Sequence, residues 1–137
     1  MGCDIHFHTE IKVDGEWYHW SRPYAWRWYE LFGKMGMTRR WAESDPVSEL
    51  RGLPKDISKM TQLAHTIDDD VHSESWLSSK DILRVIRWFY HKRKEMSDNP
   101  GLEMYNYFGL APWGSWLDID LMIPPMQDFR FVFWFDN

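Results

Sequence analysis

Two alternating runs joined by Asp14-Gly15 constrain this chain more than any other stretch. Residues 2–13 alternate in the period-two pattern of a half-buried strand. Asp-Gly between such runs is a strong signal for a two-residue hairpin, so residues 16–21, EWYHWS, read as the return strand. A type I′ turn sets the register: Val13 faces Glu16, Ile11 faces Tyr18 and Glu10 faces His19. Directly opposed residues share a face of the sheet. One face then carries Asp4, His6, His8, Glu10, Trp17 and His19, and the other carries Cys3, Ile5, Phe7, Ile11, Tyr18 and Trp20.

The C-terminus repeats this period. Phe129, Phe131, Phe133 and Phe135 share one parity, and Arg130, Val132, Trp134 and Asp136 share the other. So apolar a strand belongs inside the sheet, paired with the hairpin. Between these ends, residues 24–36 and 56–67 have helical spacing, the second with Ile57, Met60, Leu63 and Ala64 pointing inward. The clearest helix follows Ser78, whose spacing to Asp81 is that of a capping box. Its inward stripe is Ile82, Val85, Ile86, Phe89 and Tyr90, and basic residues fill its last turns. Residues 68–75 read as a polar loop and residues 102–127 as irregular. The predicted fold is α+β, one domain over residues 1–137. It is an antiparallel sheet containing the hairpin and the C-terminal strand, with about three helices packed on one face.

Composition narrows the function classes. A net charge of -5 argues against general nucleic-acid binding, which needs a basic face. A single cysteine rules out an internal disulfide and suits a reducing cytoplasm. No run is long and apolar enough for a membrane span or a signal peptide. Met1-Gly2-Cys3 suggests a myristoylation signal, but that motif needs Ser or Thr at the sixth position, where His6 stands. Ten tryptophans offer rings that pack in a core or stack on a flat ligand.

The polar hairpin face is the first candidate site. Residues two apart on a strand are roughly 7 Å apart on one face, close enough to converge on one ion. Imidazole and carboxylate together suit a divalent metal such as Zn or Mn, which would activate water for hydrolysis. The competing reading is an ordinary solvated sheet face. Arginines outside helices, Arg51 and Arg130 among them, match phosphate or carboxylate in two-point fashion, or bridge to the acidic face. Trp17 and Trp134 have the parity to cover a flat ligand from the same side; core packing is the alternative. His72, in the acidic stretch 68–76, is a further ligand type, set against an exposed loop that caps nearby helices.

Several motifs in order carry a resemblance. They are the opening MGCDIH with Glu10 and Gly15-Glu16-Trp17, then Tyr29-Glu30-Leu31-Phe32 and Arg51-Gly52-Leu53-Pro54. The segment His72-Ser73 with Ser75-Trp76-Leu77, and the ending Val132-Phe133 with Phe135-Asp136-Asn137, complete the set. Together they resemble a family of small, largely uncharacterised proteins of bacteriophages and bacterial genomes. The resemblance implies a phage-associated cytoplasmic protein and favours one composite site of Asp4, His6, Glu10, Arg51 and His72, without His8.

The expectation is a polar site for a small phosphorylated or nucleotide-like ligand. His6 and His72 are its acid/base candidates, and Arg51, Arg130, Trp17 and Trp134 its ligand-binding candidates. Asp4, His6, Glu10, His19 and His72 are the candidate metal set for a metal-dependent hydrolase. Two alternatives stand beside it: a non-catalytic sponge that sequesters a host nucleotide immune signal, and an inhibitor of a host protein through its aromatic surface. Self-association is left open.

Overall fold

The computed structural model describes residues 2–23, 27–37, 45–94 and 126–136. The elements are β1 (Asp4–Val13), β2 (Glu16–Ser21), α1 (Tyr29–Lys34), α2 (Lys59–Ile67), β3 (Val71–Ser78), α3 (Ser79–Lys94) and β4 (Asp128–Asp136). The four strands form one sheet in the order β2-β1-β4-β3, and every neighbouring pair is antiparallel. With three helices beside it, the fold is α+β.

The hairpin closes as the sequence indicates. Asp14 and Gly15 both have positive φ, 51° and 80°, the signature of a type I′ turn. Val13 pairs with Glu16, Ile11 with Tyr18 and Glu10 with His19. β4 lies inside the sheet and runs along nearly all of β1, from Asp4 opposite Asp136 to Lys12 opposite Asp128.

The phenylalanine face holds the hydrocarbon core. Phe131, Phe133 and Phe135 pack with Ile5, Phe7 and Ile11 against Leu31 and Phe32 of α1 and Ile82, Val85 and Phe89 of α3. Edge-to-face ring pairs link neighbouring strands, Phe7 to Phe131 at 4.5 Å, and helix to sheet, Phe32 to Phe135 at 5.2 Å between centroids.

Two features depart from the sequence expectation. Residues 71–78, largely inside the polar stretch read as a loop, form the edge strand β3. Its alternation is broken by positive φ at Ser73 and by a register shift between His72 and Ser75. The second is α2, which lies over the polar face of β1 while α1 and α3 cover the other. Its inward side is Thr61 and His65, whereas Met60, Leu63 and Ile67 are 63%, 53% and 69% exposed. The expected inward stripe of Met60 and Leu63 is thus reversed: the surface beneath this helix is polar, so the helix turns hydroxyl and imidazole groups toward it. The irregular reading of 102–127 falls mostly outside the described residues, as do Trp26 and the side chain of Tyr90.

Candidate acid–base site at the strand ends

The polar face divides into two parts beneath α2. At the start of the helix, the Glu10 carboxylate is fully buried and fully used. One oxygen accepts from Arg130 Nε at 2.8 Å; the other accepts from the Ser58 backbone N–H at 3.0 Å and the Thr61 hydroxyl at 2.8 Å. Arg130 also donates to the Asp56 carboxylate at 2.7 Å and to its carbonyl at 3.1 Å. The Arg130 hydrogen bond holds the Asp56 carboxyl below its usual range. The Arg130 guanidinium lies 4.0 Å from the centre of the Trp17 ring. Glu10 therefore serves as the anion at the N-terminus of α2, where backbone N–H groups and the helix dipole favour negative charge.

At the other end of α2, four charged or titratable side chains meet where β1 begins and β4 ends. His6 Nε2 contacts Asp136 Oδ2. His6 Nδ1 lies 3.1 Å from Asp68 Oδ2 and 3.2 Å from Arg22 Nη2. Asp68, the C-cap residue of α2, accepts from the indole N–H of Trp134 at 2.9 Å on the same oxygen. Arg22 is 4.0 Å from that oxygen. Exposure is graded: the side chains of His6 and Asp68 are 18% and 15% exposed, Asp136 31% and Arg22 54%.

Trp134 is fully buried and carries histidines around it. His8 stacks on it at 4.9 Å, His6 at 6.3 Å, and His65 meets it edge-on at 4.9 Å. His8 Nδ1 is 3.1 Å from His19 Nε2, while His8 Nε2 is buried with no hydrogen-bond partner among the described residues. Burial, followed by the nearby His19 and Arg22, pushes the His8 pKa down to about 4. Burial also lowers that of His19.

The residues singled out in the sequence go to several places. His6 stands in the strand-end cluster. Asp4 is at the same end but pairs outward with Arg27 at 2.6 Å, which lowers its pKa. Glu10, Arg130 and Trp17 belong to the network at the start of α2, and Trp134 is enclosed between the two groups. His19 sits on the polar face beside His8. His72 is opposite Phe135 and stacks on it, so it faces away from His6. Arg51 donates to Asp81 and to the Trp76 carbonyl, each at 2.8 Å, and lies 4.5 Å from the Trp76 ring centre. Burial alone would raise the Asp81 pKa, but hydrogen bonds from Arg51 and Ser78 outweigh it and hold the carboxyl low.

The neighbours of His6 are thus Arg22, Asp68 and Asp136, while Arg51 and His72 have contacts elsewhere. Asp136 has the parity of the polar face and was open to inference. Arg22 follows the return strand and Asp68 ends a helix, so neither belongs to a periodic pattern that would mark it. The candidate metal set of Asp4, His6, Glu10, His19 and His72 does not converge. Among the described residues no group of three or more His, Cys, Asp or Glu is placed to hold a metal ion. Among them, too, no helix is long and apolar enough to cross a membrane.

No family model, curated protein or solved structure matches this chain.

Proposed function

We propose that the strand-end cluster is an acid–base site for a small anionic ligand, phosphorylated or nucleotide-like, with hydrolysis as its reaction. One observation carries this reading: His6 Nδ1 has both an acceptor, Asp68, and a donor, Arg22, within 3.2 Å. With two protons, the imidazole donates to Asp136 and Asp68. With one, it donates to Asp136 and accepts from Arg22. Either state finds partners, so the ring exchanges a proton without leaving a nitrogen unpaired, as a general acid/base requires. Arg22 is the most exposed member and supplies a two-point donor for anionic oxygens. In this role it replaces Arg51, which is committed to Asp81.

A panel of nucleotides and phosphomonoesters, incubated with the protein and analysed after denaturation, tests this. Altered ligand that disappears with His6→Ala supports hydrolysis. Intact ligand released on heating supports the sponge instead. Ligand neither retained nor altered overturns the site. The same proposal assigns either activity to the cytoplasm of an infected bacterial cell, which is what a resemblance to phage proteins would imply.

A further inference from the structure

A cleft of about 530 Å³ opens between β2 and the start of α2, and Trp17, His19, Asp56, Ile57, Lys59 and Met60 are among its lining residues. Its volume falls within the roughly 300–1,000 Å³ of small-molecule sites. It lies at the hairpin-turn end of the sheet, whereas the His6 cluster lies at the far end of α2. A helix of nine residues rises roughly 13 Å. The cleft is therefore a place of its own, independent of the acid–base reading.

Three observations define what it suits. The first is a platform held in advance. Arg130, itself 3% exposed and fixed by Glu10 and Asp56, braces the Trp17 ring. Arg130 is not among the lining residues whereas Trp17 is, and Lys12 Nζ, 5.9 Å from the centre of the same ring, stands farther off than the Arg130 guanidinium. A ring ordered before binding loses little freedom when a flat molecule settles on it. The second is charge. Glu16 balances Lys59, the Asp56 carboxylate is already paired with Arg130, and burial drives His19 toward its neutral form, so the lining holds no surplus of positive charge for an anion. The third is the start of α2 beside it. Two of its donors, the Ser58 N–H and the Thr61 hydroxyl, are already taken by Glu10. Apolar surface at the mouth comes from Ile57 and from Met60, which is 63% exposed.

We infer that this cleft binds a flat heteroaromatic group without phosphate, a nucleobase or nucleoside. The ring stacks on Trp17 and covers Met60, and Asp56 and Lys59 offer an acceptor and donors at its polar edge. A phosphate would meet the Glu16 carboxylate and find the Ser58 N–H and the Thr61 hydroxyl already taken by Glu10.

Titration of isotope-labelled protein with adenosine, guanosine, cytidine and uridine, followed by NMR, tests this. At least one nucleoside should shift the Trp17 indole, Gly15 and Lys59 signals, and its 5′-monophosphate should bind there more weakly. Trp17→Ala should weaken nucleoside binding roughly tenfold or more, while Trp17→Phe, which keeps a ring under Arg130, should retain most of it. Three results overturn the inference: no nucleoside shifts these signals, the monophosphate binds the cleft more tightly, or Trp17→Phe loses as much as Trp17→Ala.

Discussion

The Arg130 guanidinium and the Glu10 carboxylate meet beneath α2 at 2.7 Å, with 4% and none of their side-chain surfaces exposed. Removing one partner leaves the other charged and buried. Arg130→Met is therefore expected to cost about 3–5 kcal/mol in urea unfolding. The double variant Glu10→Leu/Arg130→Met should cost less than the two single changes added together. Strict additivity would mean that the pair is not coupled.

Acid should destabilise the protein through His8. Unfolded, its imidazole titrates near its ordinary 6.5; folded, burial and the neighbouring cations hold it near 4. The folded state thus favours the neutral ring. Its contribution is fully present above pH 6.5 and is lost as the pH falls from there through 4, by up to about 3 kcal/mol. Urea unfolding measured between pH 7 and pH 4 should show this slope. His8→Phe should flatten it, leaving the smaller part due to His19. An unchanged slope would place the titrating group elsewhere.

His6 and Arg22 should separate function from folding. His6→Gln is expected to abolish ligand turnover while leaving the unfolding midpoint within reach of the wild type, because the His6 side chain is partly exposed. Arg22→Gln should raise KM more than it lowers kcat, since Arg22 holds the anion and does not move the proton. Steady-state kinetics on whichever ligand proves to be altered distinguishes the two roles.

Arg51 should behave in the opposite way. Arg51→Ala removes hydrogen bonds to Asp81 and to the Trp76 carbonyl and should cost about 1–3 kcal/mol of stability. Ligand binding at the His6 cluster should be unaffected. A loss of binding at unchanged stability would return Arg51 to the site.

Much of the sheet was legible because period-two alternation survives folding wherever strands are regular. The hairpin register followed from Asp14-Gly15, and the inner position of β4 from its four alternating phenylalanines. β3 is hidden because Ser73 adopts positive φ and the bulge after His72 shifts its register, breaking the pattern that marks a strand. Spacing points to the wrong inward side of α2 because hydrophobic periodicity identifies a buried face only when the partner surface is hydrophobic. Here the partner is Glu10, and the helix answers it with Thr61. His6 was visible on the polar parity of β1, but the residues that complete its surroundings were not. Asp68 and Arg22 arrive from the ends of elements, where sequence spacing carries no information about distance in space.

Attachment through polar groups has a mechanical consequence for α2. The hydrophobic effect is non-directional, whereas a carboxylate bound to one backbone N–H and one hydroxyl is fixed in distance and angle. Glu10 fixes where α2 starts, and a rigid rod of set length fixes where it stops. The spacing of Asp68 from His6 is thus gauged from the opposite end of the helix, as a ruler held at zero locates its last mark.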